Sequence, residues 1–96
     1  EIEAVAANGA NVAGAAQRMG DLLESIGYVD VLPLNGSDIV EFTVVFYADG
    51  FEDAARRMAE DLDLFADFVA PLADAPTVPD LPDTAELVVY IGPDRA

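Results

Sequence analysis

Glu3-Ala-Val-Ala-Ala-Asn-Gly-Ala-Asn-Val-Ala-Gly-Ala-Ala16 passes from a short run of small residues through Asn8-Gly9 directly into a patterned helix. A glycine-bearing turn from strand to helix is where α/β proteins gather phosphates, because unpaired amides and the helix dipole meet there. The strand spans about Ile2 to Ala7. The helix that follows carries Val12, Ala15, Ala16, Met19, Leu22, Leu23 and Ile26 at i, i+3, i+4, i+7, i+10, i+11 and i+14, an amphipathic stripe. Asn11 is placed to cap its start, and Gly27 stands where a left-handed residue ends a helix.

Outward from that stretch, a second strand reads from Tyr28 to Leu34. Pro33 lacks an amide to donate and so predicts an edge position. Asn35-Gly36-Ser37-Asp38 is turn chemistry. Glu41 to Ala48 forms the strongest strand pattern, apolar on both faces, which predicts a central position. Asp49-Gly-Phe-Glu52 reads as a capping box, opening a helix that buries Phe51, Ala54, Ala55, Met58, Leu62 and Phe65. Glu52–Arg56 and Asp53–Arg57 are acid-before-base pairs four apart, each contributing about 0.3–0.5 kcal/mol. A short strand is expected within Phe68–Leu72 and the last from Glu86 to Ile91. Between them, prolines stiffen an extended connector at 73–85 that donates few backbone hydrogen bonds.

A dinucleotide fingerprint would place three glycines at the opening turn, and the corresponding positions are Gly9, Asn11 and Gly14. The middle position carries a side chain where backbone must approach pyrophosphate. Asp30 as a ribose-binding acid would come too early, and no lysine exists to complete a phosphate loop. The second and third strands are joined by about seven residues, too few for a parallel crossover, which predicts an antiparallel hairpin. The turn reads as a simple strand-to-helix connection, with no nucleotide and no cofactor implied.

Ninety-six residues with 53% hydrophobic content are expected to make one domain over 1–96 with a real core. The chain starts almost on a strand and reads as a piece excised from a longer protein. Nineteen acids face four arginines with no lysine or histidine, a net charge of −15. Nucleic acid and anionic lipid are bound by neutralising phosphate, so this surface repels both. The acidity reads as a solvated face that maintains solubility, as in saline surroundings; a basic partner or cation binding is the alternative. Without cysteine there is no disulfide, thiolate metal site or redox motif. No apolar run approaches a membrane span.

Nucleophilic catalysis lacks Cys, Lys and His, and Ser25 and Ser37 occupy positions serine takes for local reasons. Asp61, Asp63 and Asp67 lack the glycine-turned spacing of a calcium loop, so no metal site is expected. The stronger candidate is a surface. With Phe42, Val44, Phe46, Leu87, Val89 and Ile91 facing the helices, Thr43, Val45, Tyr47, Val88 and Tyr90 face the other way. Two tyrosines among aliphatics would form a platform for a sugar ring or a peptide. The alternative is a face covered by the Pro-rich connector, a neighbouring domain or a homodimer. A slip of one residue would exchange the two faces.

The same residues resemble the LytR C-terminal domain, the accessory module that follows the catalytic part of some LytR–CpsA–Psr envelope proteins. It also stands behind a membrane anchor, typically in actinobacteria. The likeness runs through Asn8-Gly9, Val12-Ala-Gly-Ala-Ala16, Ile26-Gly27-Tyr28, Thr43-Val-Val-Phe-Tyr47, Ala54-Ala55 and Glu86-Leu-Val-Val-Tyr-Ile-Gly-Pro-Asp94. Where the family commonly reads Asn-Gly-Thr-Gly, this chain has Asn8-Gly9-Ala10-Asn11. The resemblance implies a place outside the cytoplasmic membrane, on a protein concerned with the cell wall. The transferase residues of the associated catalytic domain have no counterparts here.

The expected fold is α+β, a two-layer sandwich close to the ferredoxin-like βαββαβ plan, with both helices on one face of a mostly antiparallel sheet. The expected role is a non-catalytic extracytoplasmic module that binds cell-wall glycan or an envelope protein, with the membrane reached only through an anchor elsewhere in the protein. The alternative is a structural or dimerisation domain that positions an attached catalytic domain or anchor.

Overall fold

The computed structural model describes residues 3–10, 12–28, 31–36, 40, 42–64, 68–75, 78, 81 and 84–93. Expectations attached to Asn11, Asp30, Ser37, Phe65 and Asp67 lie outside those residues. The elements run β1 (Ala4–Asn8), α1 (Ala15–Ser25), β2 (Leu32–Asn35), β3 (Val44–Tyr47), α2 (Glu52–Asp61), β4 (Val69–Pro71) and β5 (Leu87–Ile91).

The five strands form one sheet in the order β2-β1-β5-β3-β4. β1 pairs in parallel with β2 and with β5, β3 pairs in parallel with β4, and only β3 against β5 is antiparallel. This overturns the mostly antiparallel ferredoxin-like expectation. The chain makes two parallel strand–helix–strand units, β1-α1-β2 and β3-α2-β4, and β5 is inserted between them. The expected β2–β3 hairpin does not form. These strands do run in opposite directions, as a short connection requires, but β1 and β5 lie between them. Of the link between β2 and β3, Gly36 N–H donates to Asn8 C=O at 3.1 Å and Val40 N–H to Gly9 C=O at 2.8 Å, at the carboxyl end of β1. Pro33 sits on edge strand β2, and β3 is internal to the sheet.

One face of the sheet carries both helices. Ala4 and Ala6 of β1 meet Ala15, Ala16, Met19 and Leu23 of α1, and the small side chains let helix and strand approach closely. Leu87, Val89 and Ile91 of β5 and Val45 of β3 continue this core toward Ala55, Met58 and Ala59 of α2. The opposite face, built from Val5, Ala7, Phe46, Val88 and Tyr90, is buried too. Neither α1 nor α2 covers it; Val78, Leu81 and Ala85 of the connector do, with Leu72, which opens a 3-10 turn over Leu72–Asp74, and Ala75 just before them.

Both helices end alike. After α1, Gly27 adopts φ 117° and Tyr28 N–H donates back to Leu23 C=O at 3.1 Å. After α2, Asp63 takes the left-handed position at φ 61° and Leu64 N–H donates to Ala59 C=O at 2.8 Å. These six-to-one bonds satisfy carbonyls that a helix end would leave open. The helix starts differ from expectation. α1 begins after Gly14, at φ 81° and with no side-chain cap, three residues beyond the expected Asn11. The capping box at Asp49 does not form either. Phe51 N–H closes a turn on Ala48 C=O at 3.0 Å, Gly50 supplies the positive φ at 89°, and Phe51 caps α2 without a side-chain bond. Glu52 is left to pair with Arg56 at 2.6 Å on the exposed face of α2.

Candidate functional site

The opening turn is closed on itself. Asn8 Oδ1 accepts from Ala10 N–H at 3.1 Å, and Asn8 Nδ2 donates to Val12 C=O at 2.8 Å. Gly9 N–H donates to Ile91 C=O at 2.9 Å, and Ala15 N–H to Val12 C=O at 3.1 Å. A phosphate cradle needs several backbone amides aimed at a common empty point. Here the amides of Gly9, Ala10 and Ala15 are already donated within the chain.

Gly9 has a different reason for being glycine. A Cβ there would lie 2.5 Å from Tyr90 Cδ1 and 2.9 Å from Ile91 O. At Gly36 a Cβ would meet the hydroxyl end of the same side chain and stand 3.0 Å from its Cε1. Tyr90 therefore reaches from β5 past the ends of β1 and β2, seated between two Asn-Gly pairs. Asn8 and Asn35 are register partners, which places both glycines beside the ring. Tyr90 is fully buried and meets Phe46 edge-on, with centroids 6.3 Å apart and planes at 89°. The signal was present in the sequence as two Asn-Gly pairs, but nothing local links them to a residue near position 90.

The five expected platform residues do not share a face. The β3–β5 register pairs Val44 with Tyr90, Val45 with Val89, Phe46 with Val88 and Tyr47 with Leu87. Directly paired residues point to the same side. Val45 and Tyr47 thus belong to the helix-side core, and Val88 and Tyr90 to the connector side. The expected phase of β5 matches the structure, and that of β3 is out by one residue. Thr43 is buried, and its Oγ1 accepts from Gly92 N–H at 3.0 Å. Tyr47 is half-buried, and Val45, Val88 and Tyr90 are buried. Val78, Leu81 and Ala85 of the connector occupy the face on which the open platform was expected.

Ser25 Oγ donates to Leu22 C=O at 2.6 Å within its own helix, a local role. Among the described residues, no group of three or more acidic, histidine or cysteine side chains is placed to hold a metal ion. Tyr28 packs against the helix-side core, and its phenol is pushed above its usual pKa. Burial is the main cause and the Asp61 carboxylate adds to it, while Arg57 acts in the opposite direction.

Among the described residues, a few large apolar side chains remain exposed. Phe42, just before β3, is 51% exposed, and its ring lies tilted against Phe68, just before β4, with centroids 5.6 Å apart and planes at 37°. Leu22, Ile26 and Leu32 are exposed to a similar degree, with Val12 slightly less so.

The family model described as LytR cell envelope-related transcriptional attenuator matches residues 6–94, from the middle of β1 to beyond β5. The chain belongs to the LytR C-terminal family. No curated protein and no solved structure matches it. The LytR C-terminal domain is an accessory, cell-envelope-associated domain. The match takes in both strand–helix–strand units and the Asn8-Gly9, Asn35-Gly36 and Tyr90 set. Of the residues that carry the resemblance, Gly9 and Tyr90 pack against each other where β1 pairs with β5. None of the described helices is long and apolar enough to cross a membrane.

Proposed function

We propose that this domain is a non-catalytic, extracytoplasmic binding module of a cell-envelope protein, and that it recognises peptidoglycan-type wall material or an envelope partner. The family match over residues 6–94 carries the reading. The chemistry of the chain supports it. Without Cys, Lys or His the usual nucleophile–base pairs cannot be assembled, and Ser25 is committed to its own helix. Both sheet faces are covered, so recognition uses loop corners and exposed edges.

Co-sedimentation with purified wall sacculi over a range of ionic strength tests the glycan version. Retention on the sacculi supports it, and loss at every ionic strength refutes it and leaves the envelope-protein version. The alternative, a structural domain that positions an attached catalytic domain or anchor, draws on the exposed Leu22, Ile26 and Leu32. It predicts a concentration-dependent dimer in sedimentation, whereas a monomer that binds muropeptides favours recognition.

A further inference from the structure

Phe42 is the most exposed large apolar side chain among the described residues, and it is held firmly. Its ring is braced by Phe68. Its backbone is pinned by Gly92, which passes so close that a Cβ there would lie 2.5 Å from Phe42 C and 2.7 Å from its Cα. The next residue, Thr43, accepts the Gly92 amide hydrogen. Isolated exposed apolar side chains are ordinary on protein surfaces. A pair of rings in contact on a closely packed backbone is different, because much of the ordering that a partner would require is already done by the fold.

The charge of the molecule limits what such a corner can attract. Nineteen acids against four arginines give a net charge of −15. A field of that sign concentrates cations near the surface and repels both anionic polymers and a second copy of the chain. The aromatic faces add a quadrupole that favours guanidinium and ammonium groups. A neutral glycan would gain nothing from the charge.

We propose that the Phe42–Phe68 corner docks a Lys- or Arg-rich segment of a protein partner. This rests on the reading of the domain as a binding module and selects its protein-binding version.

The test is a fluorescence anisotropy titration of the whole domain with labelled octa-arginine, beside an uncharged Gly/Ser peptide of equal length and soluble muropeptides. Octa-arginine should bind, weaken with salt, and bind about threefold to tenfold less tightly to Phe42→Ala and Phe42→Leu. Phe42→Trp should bind at least as well as the parent, and Leu22→Ala should be unchanged. Phe42→Leu keeps an apolar side chain without the quadrupole, and urea midpoints confirm that each variant is folded. Equal octa-arginine binding by parent and Phe42→Ala overturns the proposal, since charge alone would then suffice. So does an effect of Phe42→Ala on muropeptide binding instead, or a dimer that this substitution dissolves. Sacculus co-sedimentation of Phe42→Ala should match the parent, so a failed corner and a failed wall-binding role give different results.

Discussion

Replacing Gly9 with alanine probes the contact that joins the opening turn to the last strand. The added Cβ would sit 2.5 Å from Tyr90 Cδ1 and 2.9 Å from Ile91 O. Carbon atoms in contact prefer about 3.5–4.0 Å, so the overlap with the ring is roughly 1 Å. Neither side can easily yield. The ring is fully buried, meets Phe46 on one side and closes on Gly36 at its hydroxyl end. Moving the turn away instead would stretch the Gly9 N–H bond to Ile91 at 2.9 Å and the Val40 bond to Gly9 at 2.8 Å. Overpacking of this kind costs about 1–3 kcal/mol, and with both escapes blocked the upper part of that range, about 2–3 kcal/mol, is expected. For a domain of this size that lowers Tm by roughly 8–24 °C. Urea unfolding of Gly9→Ala, Tyr90→Leu and the double variant measures the coupling directly. With the ring removed, the alanine penalty should fall below about 1 kcal/mol, leaving a coupling above about 1 kcal/mol. A parental midpoint for Gly9→Ala, or an equal loss in both backgrounds, would refute the packing account.

Other substitutions test other parts of the fold. Gly20→Ala, inside α1, should stabilise by about 0.5–1 kcal/mol by thermal melts, because the new Cβ meets Val31 at an ordinary 3.7 Å and helix propensity improves. Thr43→Val should cost about 1–3 kcal/mol in urea, since it leaves the buried Gly92 N–H without its acceptor, whereas Thr43→Ser should cost less. Tyr28 predicts a pH effect. Its folded pKa lies above the ordinary phenol value of 10.0, so the unfolded chain loses this proton first as pH rises. The associated stability is fully present below pH 10.0 and is lost as pH climbs toward and through the folded pKa. Tyr28→Phe should therefore show a shallower alkaline fall in urea midpoint than the parent, and identical slopes would rule the effect out.

The helix ends and strand types were legible because they rest on local chemistry. Gly27 marks the end of α1 by its left-handed backbone, and Pro33 marks β2 as an edge by its missing amide. The helix starts were less legible, because Asn11 and Asp49 are good caps only where the chain enters the helix beside them. Gly14 and the turn at Ala48–Phe51 moved those entries downstream. The candidate platform was misread for a sharper reason. A strand apolar on both faces shows its alternation but not which alternate faces the helices, and one residue of phase in β3 separated Tyr47 from Tyr90. The acidic composition was readable at once, whereas the exposed aromatic corner required knowing that Phe68 comes beside Phe42.

By itself the sequence determined the kinds of element, their order and the family, all of which rest on patterns a few residues long. It also determined that β2 and β3 run in opposite directions, since so short a link cannot return a strand in parallel. Only the tertiary structure decided which strands became neighbours. Direction follows from the length of a connection, but adjacency follows from which buried surfaces fit together. The insertion of β5 between the two units depends on such a fit, with the ring of Tyr90 seated against Gly9 and Gly36.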